Sequence, residues 1–90
     1  MMGPLPLGRV VATPGALNLL MDAGEDAFDY VVRHATGDWG ALCSFDRRQN
    51  ERALRTGERV LSAYPVGGER VWIITEAERS VTTVLLPEEN

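Results

Sequence analysis

Apolar residues in the first half of the chain recur at helical spacing. Ala16, Leu17, Leu19, Leu20 and Met21 follow Thr13-Pro14. Thr is a good N-cap, and Pro suits the first helical position because its missing N–H would have no partner there. A short helix over 14–22 is predicted, ended by Gly24. Phe28, Val31 and Val32 lie at i, i+3 and i+4, one helical face, and predict a second helix over 26–35. Asp26 and Asp29 near its start and Arg33 and His34 near its end both suit the helix dipole. Gly37 closes it. A third helix is predicted over 45–56, opened by Ser44 or Asp46 and followed by Gly57. Its surface is strongly charged, and its apolar stripe is thin: Phe45, Ala53 and Leu54.

Beyond Gly57 the pattern changes to short β-branched and aromatic runs broken by turns. Strands are predicted over 59–64, 70–75 and 80–86. Gly67-Gly68 supplies the positive φ angles a hairpin needs, and Glu76-Ala77-Glu78-Arg79 is a second turn. Leu7 to Ala12 reads as a short strand or an extended lead-in, residues 1–6 as an irregular arm, and 87–90 as a solvated tail. Helices first and strands afterwards is the α+β order. The expected fold is a single α+β domain over 1–90, with two to three N-terminal helices packed on a C-terminal three-stranded antiparallel β-meander. A sheet that small needs a cover for its apolar face, and the helices are the available cover.

Composition narrows the function classes. Thirteen acids against nine bases give a formal net charge of −4, which argues against general nucleic-acid binding, since phosphate contacts need a clustered basic excess. Every base is Arg, whose planar fork suits carboxylates and phosphates. Cys43 is the sole cysteine, so no intramolecular disulfide forms, in keeping with a reducing, cytoplasmic location. No basic, apolar leader opens the chain, and no apolar run reaches the ~20 residues that span a bilayer, so no membrane partner is expected. One His, one Cys and no spaced ligand pairs fall short of a metal pattern, and no fingerprint of a nucleotide cofactor occurs.

The residues that could carry chemistry are few. His34 is the only histidine; it is either a general acid or base or a helix C-terminal decoration. Arg59, Ser62, Thr75 and Thr83 lie on or beside the predicted strands, where Arg would neutralise a phosphate and hydroxyls would donate to its oxygens. Their alternative role is ordinary strand composition. Asp38-Trp39 between Gly37 and Gly40 is either a ligand loop with a stacking ring or a turn whose ring plugs the core. Arg70, Trp72 and Arg79 complete the candidate binding set.

Four stretches carry a family resemblance: Leu7 to Ala16 (LGRVVATPGA), His34 to Gly40 (HATGDWG), Leu61 to Tyr64 (LSAY) and Trp72 to Pro87 (WIITEAERSVTTVLLP). Over nearly its whole length the chain resembles a family of small bacterial proteins met on plasmids and other mobile elements, labelled "plasmid-related protein" or "type I restriction enzyme subunit". The second label implies a cofactor-binding sheet and an Asn-Pro-Pro-aromatic motif, and this sequence has no such motif. In element order the chain also resembles, more distantly, the metal-independent barnase–EndoU–colicin–RelE ribonucleases. That resemblance implies His34, Arg59, Ser62, Thr75 and Thr83 around the sheet as the site.

Two functions follow as expectations. The first is a small cytoplasmic accessory module that binds another protein, in a mobile-element context. The alternative is a metal-independent endoribonuclease, with RNA as substrate and His34 as acid or base. A homodimer joined through sheet edges or the thin-striped helix is a third expectation.

Overall fold

The computed structural model describes residues 5–90. Of the arm expected over 1–6, residues 1–4 lie outside the described residues, and Leu5 and Pro6 have no regular structure. Strand β1 (Arg9–Ala12) leads into helices α1 (Pro14–Asp22), α2 (Ala27–Ala35) and α3 (Ser44–Thr56). Strands β2 (Val60–Val66), β3 (Glu69–Thr75) and β4 (Val81–Leu85) follow, then a 3₁₀ turn over Pro87–Glu89. The fold is α+β, with an antiparallel β2-β3-β4 meander as its sheet core.

The helix boundaries have local causes. The Thr13 hydroxyl accepts from the Ala16 N–H, and the Asp26 carboxylate accepts from the Phe28 N–H, so both are N-caps. Cys43 stands at the N-cap of α3, and its thiol makes no capping bond. At the far end of α3, Gly57 takes a left-handed φ of 81°.

The β2–β3 hairpin turns on Gly67 and Gly68 at φ 54° and 81°, the paired positive angles that match the twist of a two-residue loop. β1 joins the other end of the sheet in the order β1-β4-β3-β2 and runs parallel to β4. Gly8 makes this possible: at φ 63° its backbone crosses so close to Ser80 that a Cβ would lie 2.4 Å from the Ser80 carbonyl oxygen. The C-terminal residues expected as a solvated tail are tied down, since the Glu89 carboxylate accepts from the Thr13 hydroxyl at 2.6 Å and the Leu86 N–H at 2.8 Å.

Strand alternation sorts the sheet into two faces. Val60, Ser62, Tyr64 and Val66 of β2 share one face with Val71, Ile73 and Thr75 of β3 and with Thr82 and Val84 of β4. That face meets α1 and α2 through a core of Ala16, Leu20, Tyr30, Val31, Tyr64, Val71, Ile73 and Val84. A second cluster, Leu5, Trp39, Ala53 and Val60, joins α3 to the same sheet corner. The outer face carries Leu61, Ala63, Trp72, Ile74, Thr83 and Leu85, none of which belongs to either cluster.

The β2 edge is closed without a fifth strand. Ala63 N–H donates to the Trp39 carbonyl and its own carbonyl accepts from the Ala41 N–H. The Asn50 amide does the same for Leu61, donating to its carbonyl at 2.6 Å and accepting from its N–H at 3.2 Å. An edge so occupied cannot template further pairing. No helix among the described residues is long and apolar enough to cross a membrane.

Candidate functional site

His34 sits in the last turn of α2, which lays it against the inner face of the sheet, and its imidazole is wholly buried. Nδ1 lies 2.6 Å from the Ser62 hydroxyl and Nε2 lies 2.9 Å from the Thr75 hydroxyl. The Thr75 hydroxyl is 2.7 Å from that of Thr82, which donates to the Leu7 carbonyl at 2.8 Å. Ser62, Thr75 and Thr82 are themselves at 0% exposure.

The directions of the bonds from Leu7 back to Nε2 follow from the last member of the line. A carbonyl only accepts, so Thr82 donates to Leu7 and must accept from Thr75. Thr75 has then spent its proton on Thr82 and accepts from Nε2. Nε2 therefore carries a hydrogen, and in the neutral ring that burial favours Nδ1 accepts from Ser62. With the ring neutral, the relay runs Ser62 to His34 to Thr75 to Thr82 to Leu7 with one proton per step. Burial lowers the His34 pKa to about 4, with the Arg79 charge as a lesser cause.

Two of the four other candidate catalytic residues thus meet His34, and two do not. Thr83 pairs with Ile74 and faces outward, because adjacent strand residues point to opposite faces. Its neighbour Thr82, opposite Thr75, takes the place in the relay. Arg59 is exposed beside the outer face. The signal that finds Thr82 is parity: with Thr75 facing in, its cross-strand partner must face in too.

The candidate binding residues divide as well. Trp39 is buried and edge-on to His34, its Nε1–H donating to the Glu51 carboxylate at 2.8 Å. The ring plugs the core and offers no stacking platform. Asp38 is exposed and pairs with Arg33 at 2.7 Å; that bond is the main reason its pKa is lowered. The Arg33 guanidinium also lies 4.6 Å from the centre of the Tyr64 ring, whose hydroxyl donates to the Asp38 carbonyl. Arg79 donates to the Ala53 carbonyl at 3.0 Å and the Glu58 carbonyl at 2.7 Å. Its guanidinium caps the C-terminal end of α3, held there by a backbone at φ 59°.

Arg70 and Trp72 do converge, with Arg59, on the outer face. They line a groove of about 680 Å³ whose floor is Leu61, Ala63 and Trp72 and whose wall is Leu42, Cys43, Asp46 and Asn50 at the start of α3. Trp72 is half-buried there. Ala41, Leu42 and Asn50 are groove residues that sequence reasoning missed, because they reach β2 through a bridge between Gly40 and Ala63 and through the Asn50 amide. Among the described residues, no three His, Cys, Asp or Glu side chains stand close enough together to hold a metal ion.

Comparison with protein-family models, with curated proteins and with solved structures finds no match to this sequence.

Proposed function

We propose that the protein is a non-catalytic module that docks another protein in the groove on the outer face of its sheet. The observation that carries this reading is the half-buried Trp72 beside Leu61 and Ala63, with Arg59 and Arg70 in the same groove. An apolar floor with a large ring and flanking arginines is the composition of an interface centre, where Trp and Arg dominate binding energy. The one half-buried ring in the groove gives nucleic-acid bases one stacking surface there, fewer than single-strand platforms use, and the net charge of −4 opposes phosphate. An accessory role beside mobile-element genes belongs to this reading through the sequence resemblance.

The ribonuclease reading draws support from the contact of His34 with Ser62 and Thr75. Weighing against it, both imidazole nitrogens are already bonded, the ring is at 0% exposure, and Arg59 faces away from it. A phosphate would have to displace α2 from the sheet to reach Nε2.

The test is capture by the immobilised full-length protein from a bacterial lysate. A stoichiometric protein partner is expected with the wild type and with His34→Gln, and its loss is expected with Arg59→Glu/Arg70→Glu. Recovery unchanged by the double reversal removes the groove from the account. RNA degradation by the wild type but not by His34→Ala would replace this reading with the ribonuclease.

A further inference from the structure

A second surface, on the helix side, is independent of the groove. Leu17 and Met21 of α1 are 44% and 72% exposed, and Phe28 and Val32 of α2 are 68% and 43% exposed. Each pair is spaced i, i+4, so each forms an outward stripe on its own helix. Leu17 and Met21 line a cleft with Leu20, Glu25, Asp26 and Ala27, the residue before Phe28. Four large apolar side chains left in water on two consecutive helices mark a contact surface.

The charge at this surface says what covers it. Glu25 and Asp26 line the cleft, and Asp29 stands beside Phe28 on α2. Among the described residues none of these three carboxylates forms an ion pair. Two copies meeting through the same face would therefore bring six carboxylates together, so a symmetric pairing is disfavoured. The occupant must be apolar and cationic.

The protein itself presents such an element. Phe45, Arg48, Arg52 and Arg55 of α3 recur at i, i+3, i+7 and i+10, which is one helical face. All four are exposed, Phe45 at 60%, and the face points away from the buried Asn50 and Ala53. Arg48 and Arg55 form no ion pair among the described residues, and Arg52 only a loose one with Glu58 at 3.9 Å. A helix this short of apolar residues leaves an exposed ring and three guanidinium groups without a structural use within the molecule.

We propose that copies of this protein associate head to tail, the Phe45–Arg48–Arg52–Arg55 face of α3 in one seating on the α1–α2 cleft of the next. Phe45 enters between Met21 and Phe28, and the arginines meet Glu25, Asp26 and Asp29. Because the two surfaces differ and both remain free at the ends, the contact propagates until a ring closes or the row of copies ends. Salt weakens it by screening the charges, while the apolar part persists.

Sedimentation velocity on the full-length protein tests this, with circular dichroism confirming that each variant is folded. The wild type, 9.9 kDa as a monomer, is expected to gain weight-average mass with concentration and to lose much of that gain in high salt. Arg48→Glu/Arg52→Glu removes the donor face, and Met21→Glu/Phe28→Glu removes the acceptor face. All four positions are exposed, so the fold tolerates them. Each variant alone is expected to be monomeric. The two mixed are expected to give a 1:1 dimer and nothing larger, since only one intact donor and one intact acceptor remain. A wild type that stays monomeric up to about 1 mM, a range that detects even weak contacts, overturns the proposal. So does a mixture that stays monomeric, or a variant that associates as the wild type does.

Discussion

Ser62, Thr75 and Thr82 would be poor choices for a core if His34 were absent. A buried hydroxyl without a partner costs about 1–3 kcal/mol, and here the relay satisfies all three in sequence. His34→Leu therefore leaves Ser62 and Thr75 each short of a partner, and a loss of about 2–4 kcal/mol is expected. At roughly 4–8 °C per kcal/mol for a domain of this size, the melting temperature falls by at least about 8 °C. Thr83→Val on the outer face is expected to change stability by less than about 0.5 kcal/mol. Equal melting temperatures for the two variants would remove the relay's structural role.

The same imidazole makes stability depend on pH. Its folded pKa, about 4, lies below the ordinary value of 6.5. Between those values the unfolded protein binds more protons than the folded one, so acid favours unfolding. The contribution is complete above about 6.5 and drains away as pH falls toward 4, by on the order of 3 kcal/mol in total. Denaturant midpoints measured across that window should slope in the wild type and lose this component in His34→Leu. The lowered Asp38 carboxyl acts at still lower pH, its share being lost below the usual carboxylate range.

At the scale of elements, the caps and turns were legible because their causes are local. Thr13-Pro14, Asp26, Gly57 and Gly67-Gly68 each act within a few residues, and the three helices and the meander follow from them. Two things were not legible. The parallel pairing of β1 with β4 joins segments about seventy residues apart, and only the close pass of Gly8 over Ser80 shows why it fits. Which of Thr82 and Thr83 turns inward depends on strand register, and a run with hydroxyls at both positions carries no periodicity to decide it. Arg79 was misleading for a related reason: a turn arginine looks like a binding group until the Ala53 carbonyl at the end of α3 is seen beside it. Arg79→Ala is expected to cost about 1 kcal/mol and to speed amide exchange in the last turn of α3 more than elsewhere. Uniform exchange changes would show that Arg79 does not hold that helix end.

Across the whole molecule, charge and exposure are unevenly placed. The titratable ring and its hydroxyls are enclosed between α2 and the sheet. The outer groove displays Arg59, Arg70 and Trp72, and the helix side displays apolar side chains beside carboxylates that form no ion pair among the described residues. In the proposed reading both surfaces contact other protein and the enclosed histidine is architectural. Arg59→Glu/Arg70→Glu, both at exposed positions, is expected to shift the melting temperature by less than about 8 °C, a smaller change than His34→Leu makes, while abolishing partner capture.

The account depends most on His34 being sealed and neutral. It is the only histidine, so nitrogen-15 NMR of the full-length protein shows one imidazole without ambiguity. The prediction is an Nε2–H tautomer that holds from neutral pH down to about pH 5, with a midpoint near 4 and a ring proton exchanging slowly with water. A midpoint near 6.5 with fast exchange would place the ring in solvent and contradict the account.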